Sequence, residues 1–237
     1  MTAIFSREFK AYFTSPIGYF VLAILFLFGG WFFYAGNLAY NSSDLSHVYN
    51  SLFSIVLLAV LPILTMRLFS DDKRQKTDQA LLTAPVSLTG IVMGKFLAAV
   101  VLFAIGIAIT FVYAIIIALC NVTPDWMVII GNYIGLLLMG AAVIAVGVLI
   151  SSLTESMFIA ALGTFGVAFL LVMMDSLTTI FSNSELVASV VGFLSVSQRY
   201  SNFTMGLINY NDVIFFLSIQ ALFLFLTVRL LDRKRWS

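Results

Sequence analysis

Arg67-Leu-Phe-Ser-Asp71-Asp72-Lys73-Arg74-Gln-Lys76-Thr77-Asp78-Gln79-Ala-Leu81-Leu82-Thr-Ala-Pro85-Val-Ser87 is a polar island between two apolar runs, Leu52 to Met66 and Gly90 to Cys120. Only 10% of the 237 residues are charged, so a concentration of charge here marks the segment that stays in water. A short helix can be read in it from the ends inward. Thr77 can cap the first turn with its hydroxyl, Asp78 lies where the helix dipole favours an anion, and Pro85 stops the turn after Leu82. Leu81 and Leu82 give that helix an apolar side, and Lys73, Arg74 and Lys76 precede it as a charged lead-in. Two readings follow. One is a topogenic loop held on one side of a membrane by its cations, meeting anionic lipid or solvent. The other is a peg that docks a partner protein.

Outward from the island the chain is oily. It is 62% hydrophobic with a mean hydropathy of +1.08 and a net charge of +1. Apolar runs of about 18 or more residues read as membrane helices, because about 20 residues are needed to cross about 30 Å of hydrocarbon. Six such spans are expected, at 17–35, 51–68, 90–120, 127–153, 157–174 and 212–231, in one all-α membrane domain over 1–237. A single cysteine, Cys120, excludes an intramolecular disulfide and a cysteine-rich metal site.

Residues 1–15 read as an amphipathic interfacial helix, with Ile4, Phe5, Phe9, Tyr12 and Phe13 on one face and Ser6, Arg7, Lys10 and Thr14 on the other. Ser15-Pro16 breaks it before the first span, which is too long for a signal-peptide core and is expected to be retained. Gly36 to Asn50 has no Lys or Arg and reads as an outer loop; its His47, the one histidine, has no neighbouring ligand set. Pro62 predicts a kink in the second span. The island's loop, 69–88, follows. The third span is longer than a bilayer requires, so it tilts or extends into the cytoplasm near Lys95. The fourth carries Gly131, Gly135, Gly140, Ala141, Ala142, Ala145 and Gly147, small residues that let helix backbones approach closely. Ser151 to Ser156 is a tight inner turn. Between the fifth and sixth spans, Leu186 to Leu194 is patterned like a short amphipathic helix, re-entrant or on the outer surface. Asp232 to Trp236 is a basic anchor at the end of the sixth span.

Six spans place both termini on one side. With that side cytoplasmic, eleven of the twelve Lys and Arg lie inside and Arg199 alone lies outside, which sets the orientation. Several chemistries have no sequence support. No ionisable residue lies near the middle of a predicted span, which disfavours an ion-coupled carrier. There is no GxxxxGK[ST] phosphate loop, no HExxH and no serine-histidine-acid set, so neither ATP hydrolysis by the P-loop route nor an intramembrane hydrolase is expected of this chain.

The stretch Asp72 to Ser87 resembles the segment between the second and third membrane helices of ABC-2 family permeases of ATP-binding-cassette transporters. The family pattern is an acid, a basic pair, Gly-Thr, a Glu, two or three leucines and Thr-Ala-Pro-Val-Ser. Asp72, Thr77, Leu81-Leu82 and Thr83 to Ser87 match it. Lys76 stands at the Gly and Gln79 at the Glu; if that Gly serves a left-handed turn, lysine costs about 1 kcal/mol there. Ser6 to Tyr19 and the compact length look most like the gliding-motility-type permeases.

The resemblance implies the membrane permease subunit of an ATP-driven transporter, an exporter working by alternating access in the plasma (inner) membrane. Its partners would be separate ABC ATPase subunits, which hold the ATP and Mg, and a second copy or a homologous permease; no cofactor in this chain and no nucleic acid is implied. The loop would act as a coupling helix through Asp72, Arg74, Thr77, Asp78, Gln79, Leu81, Leu82 and Pro85. The competing readings are a membrane scaffold that anchors a complex without transport and, less favoured, a channel or secondary carrier.

Overall fold

The computed structural model describes residues 2–40, 42–77, 86–119, 124–180 and 195–236, and every described regular element is helical. Among the described residues, six helices are long and apolar enough to cross a membrane: Pro16–Leu38, Ser46–Arg74, Leu88–Leu119, Trp126–Leu153, Met157–Met174 and Tyr210–Arg233. The protein is an all-α integral membrane protein, as its hydropathy predicts.

The N-terminal helix α1 (Thr2–Thr14) packs along the start of the third span, α6 (Leu88–Ile107), rather than lying free on a surface. Gly94 makes room for it, because a Cβ there would come within 3.0 Å of Ile4 and 3.3 Å of the Phe5 nitrogen. Tyr12 is buried against the second span, where its hydroxyl donates to the Leu64 carbonyl at 3.1 Å. Burial, reinforced by the Glu8 carboxylate, pushes that phenol up, so it remains a donor. The Ser15 hydroxyl then accepts from the Ile17 amide and Pro16 opens α2 (Pro16–Phe33), the first span.

The second span starts earlier than hydropathy suggests. The Asp44 carboxylate accepts from the Ser46 amide at 2.8 Å, and α3 (Ser46–Ile55) begins there, taking His47 into its first turn instead of an outer loop. A π turn, Val56–Val60, precedes α4 (Leu61–Thr65). In an unbroken α-helix the Pro62 ring would strike the carbonyl four residues back; the wider turn just before it removes that clash. After a turn comes α5 (Ser70–Arg74).

The third span consists of α6 and α7 (Ile109–Leu119), and the fourth is a single 28-residue helix, α8 (Trp126–Leu153), capped by Asp125. α8 is the hub of the bundle, touching the second, third, fifth and sixth spans. Its small residues take neighbours in: a Cβ on Gly135 would lie 2.7 Å from the Phe203 ring, and one on Gly140 would lie 2.2 Å from Phe103. Such approach matters in lipid, where packing rather than water expulsion holds helices together.

The fifth span belongs to α9 (Met157–Ile180), and the sixth to α11 (Tyr210–Trp236). Between them, α10 (Val196–Thr204) is a short helix seated on α8, with Tyr200 stacked on Phe53 at 4.6 Å and donating to Asn132 Oδ1 at 3.2 Å. Asp212 at the head of α11 accepts from Arg199 and Asn202, both at 2.8 Å, which pins α10 in place. The expected amphipathic segment Leu186 to Leu194 lies outside the described residues.

Candidate functional site

The polar island divides into a described base, Arg67 to Thr77 with Val86 and Ser87, and the stretch 78–85, which lies outside the described residues. Of the eight residues expected to engage a partner, Asp72, Arg74 and Thr77 are therefore placed, and Asp78, Gln79, Leu81, Leu82 and Pro85 are not. The placed three do different work. Arg74 and Thr77 are exposed, whereas Asp72 turns inward.

Asp72 meets Lys95, which is 1% exposed although its position in the sequence suggests a helix end reaching water. The ammonium lies 2.7 Å from Asp72 Oδ2, 3.1 Å from Glu8 Oε1 and 2.5 Å from the Leu68 carbonyl. Arg7 completes the group, 2.5 Å from Glu8 and 3.8 Å from Asp72. Two cations and two anions thus sum to zero, and this balance is what makes a buried lysine tolerable. The group joins α1, the base of the island and α6. Lys95 is 7 residues into α6, about 10 Å along its axis, a depth reached only because the carboxylates come to it.

A second tie runs from the island to α8. The Ser151 hydroxyl accepts from the Phe69 and Ser70 amides at 2.9 and 3.1 Å, Ser70 Oγ lies 3.1 Å from the Ser151 carbonyl, and the Lys73 ammonium donates to the Ser152 carbonyl. A third runs to the junction of the first span: the Arg67 guanidinium donates to Ser15 Oγ at 2.5 Å and lies 3.6 Å from Asp71. The base of the island is therefore fixed to α1, the first span, the third and the fourth. Glu8, Arg67, Lys95, Ser70 and Ser151 were not singled out as site residues by sequence reasoning. The available signal was a lone lysine inside a long apolar run, together with a glutamate beside the apolar face of α1.

α5 ends in a left-handed cap. Lys76 has φ 57°, the Lys76 amide donates to the Lys73 carbonyl at 3.0 Å, and the Thr77 amide donates to the Asp72 carbonyl at 2.9 Å. This bond pair is the glycine-type helix stop, so the position where the family pattern has glycine does require the left-handed region. Lys76→Gly is expected to stabilise the protein by about 1 kcal/mol, read by unfolding in mixed micelles. The Thr77 hydroxyl, expected to cap a following helix, donates back to the Asp72 carbonyl at 3.2 Å and to its carboxylate at 3.1 Å. On the far side of the loop, Ser87 Oγ accepts from the Gly90 amide at 3.2 Å and starts α6. Both ends of the loop are thus firm.

No curated protein matches the chain. A family model described as ABC-2 family transporter protein matches residues 2–236, nearly the whole length and all six spans. An all-α membrane bundle whose polar loop has a rigid base agrees with that match. The chain belongs to the ABC-2 family of transporter proteins.

Proposed function

We propose that this chain is one membrane half of an ATP-driven exporter in the plasma membrane. Two such halves, identical or homologous, would enclose the path, and separate ABC ATPase subunits, carrying ATP and Mg, would bind the loop 69–88 from the cytoplasm. Both termini would face the cytoplasm, since eleven of the twelve cations then lie on that side. The observation that carries the reading is the buried bridge of Lys95 to Asp72 and Glu8. A loop that merely kept its cations in water would need no such anchorage. A loop that receives a load does, because a push on it passes through Asp72 to α6 and α1, and through Ser70 and Ser151 to α8. Coupling of this kind requires an element with two arrangements that both the ATPase and the cargo path bias.

The test uses the chain purified from its native membranes with Leu81→Asp in the loop. The expected result is at least a tenfold loss of the co-purifying ABC ATPase, with the permease eluting as a monodisperse species. Unchanged ATPase recovery in the variant would remove the docking assignment and favour a scaffold.

A further inference from the structure

Along the outward side of α6 and α11 runs a groove of about 630 Å³. Its wall is formed by Phe96, Leu217, Ala221 and Leu224; its charged residues Arg229 and Asp232 lie with Thr89 at one end, while Gln220, toward the other, donates to the Leu138 carbonyl at 3.2 Å. That end carries the start of α6 and the close of α11, so it lies at the membrane surface where both helices leave the lipid. From Leu217 to Arg229 the groove extends 12 residues along α11, about 18 Å at 1.5 Å per residue. That length is close to one leaflet of the hydrocarbon core, about half of 30 Å.

The mouth is a pair of opposite charges rather than a cation alone. Arg229 and Asp232 are three residues apart on one helical face, with Cβ atoms about 5–6 Å apart by helix geometry. Among the described residues neither joins an ion pair; the Arg229 guanidinium lies instead over the Phe225 ring, 5.1 Å from its centroid. A guanidinium presents donors that match a phosphate, and a carboxylate accepts from an ammonium. Side by side at the lip of an acyl-length trough, they are complementary to a headgroup that is itself phosphate followed by a primary amine.

We propose that the groove between the third and sixth spans binds a phospholipid with a primary-amine headgroup, phosphatidylethanolamine, from the leaflet at this end of the bundle. That leaflet is the cytoplasmic one in the orientation proposed above; the binding assignment itself does not depend on ATPase docking. One acyl chain lies against Ala221 and Leu224, Arg229 holds the phosphate and Asp232 accepts from the ammonium. Choline, which has no N–H, satisfies the phosphate site alone, and a glycerol headgroup leaves Asp232 facing a net anion.

The experiment reconstitutes the full chain in nanodiscs of equimolar dioleoyl phosphatidylethanolamine, phosphatidylcholine and phosphatidylglycerol and weighs the released protein with its retained lipids. At least fivefold enrichment of phosphatidylethanolamine over either competitor is expected. Asp232→Asn is expected to erase the preference over phosphatidylcholine while keeping lipid bound, Arg229→Gln to lower retention of all three, and Ala221→Trp to abolish it. A diazirine-bearing phosphatidylethanolamine on the wild-type chain locates the site without any variant, and labelling is expected within 92–96 and 217–229. Equal retention of the three lipids, preference for phosphatidylglycerol, labelling elsewhere, or a polypeptide retained in place of lipid would each overturn the proposal.

Discussion

Lys95→Met is expected to destabilise the protein by about 3 kcal/mol and to uncouple the loop from the bundle. Methionine fills most of the lysine's volume, so the loss is one of charge and hydrogen bonding rather than of packing. Glu8 and Asp72 would then face each other across an apolar side chain with Arg7 as their one shared cation, leaving an excess negative charge in the group. Removing one partner of a buried ion pair costs about 3–5 kcal/mol. The lower end applies because the Glu8 and Asp72 side chains keep 12% and 20% of their surface in contact with solvent. The Leu68 carbonyl also loses its donor. Neutralising the stranded acids in the triple variant Lys95→Met, Glu8→Gln, Asp72→Asn is expected to recover at least half of the loss, since a neutral buried group carries no unpaired charge. Unfolding in mixed detergent micelles measures both steps. Under the proposed function, the triple variant retains its ATPase subunit, because Leu81 and Leu82 are untouched, yet fails to raise ATP hydrolysis in response to cargo. Recovery of stability together with recovery of stimulation would mean that the charged group is only a structural fastening.

The six spans were legible because the signal is a one-dimensional count: a run of apolar residues long enough to cross the hydrocarbon either exists or does not. The position of the loop was legible for the same reason, as the place where that count stops. What the sequence left hidden is pairing across distance. Glu8, Asp72 and Lys95 are far apart in the chain, and nothing local says that a carboxylate from α1 and another from the island's base meet one ammonium of α6. Lys95 read alone looks like a helix leaving the membrane, and only the arrival of two anions makes burial at that depth the better solution. The early start of the second span was missed for a more local reason. Polar residues hide a helix from a hydropathy window, and the Asp44 carboxylate that accepts from the Ser46 amide stands one residue before the N-cap position, Leu45, where a capping side chain is sought. Lys76 is the converse case, in which a departure from a family pattern pointed to a left-handed residue that the backbone does contain.

Gly147→Val is expected to cost about 3 kcal/mol and to be relieved by a compensating change on the facing helix. Gly147 on α8 faces Thr65 at the end of α4, and a Cβ there would lie 2.5 Å from the Thr65 hydroxyl, 2.6 Å from its Cβ and 2.7 Å from its methyl. All three distances are shorter than real contacts, and Thr65 has no freedom to withdraw. It is fully buried, and its hydroxyl is committed to the Leu61 carbonyl at 2.8 Å. Rotating the side chain away would break that bond next to Pro62, where the backbone already lacks one amide. The helices must separate instead, and overpacking of this kind costs about 1–3 kcal/mol, with a β-branched side chain at the upper end. Separation here also pulls on the serine fastening a turn further along α8, where Ser151 holds the Phe69 and Ser70 amides. Thr65→Gly alone is expected to lose about 1 kcal/mol as a backbone-entropy and helix-propensity cost. Combined with Gly147→Val it returns the space, so the double variant is expected to be at least 1 kcal/mol more stable than the sum of the two single changes. Additive losses in that cycle would show that the close approach of the second and fourth spans is not what Gly147 provides.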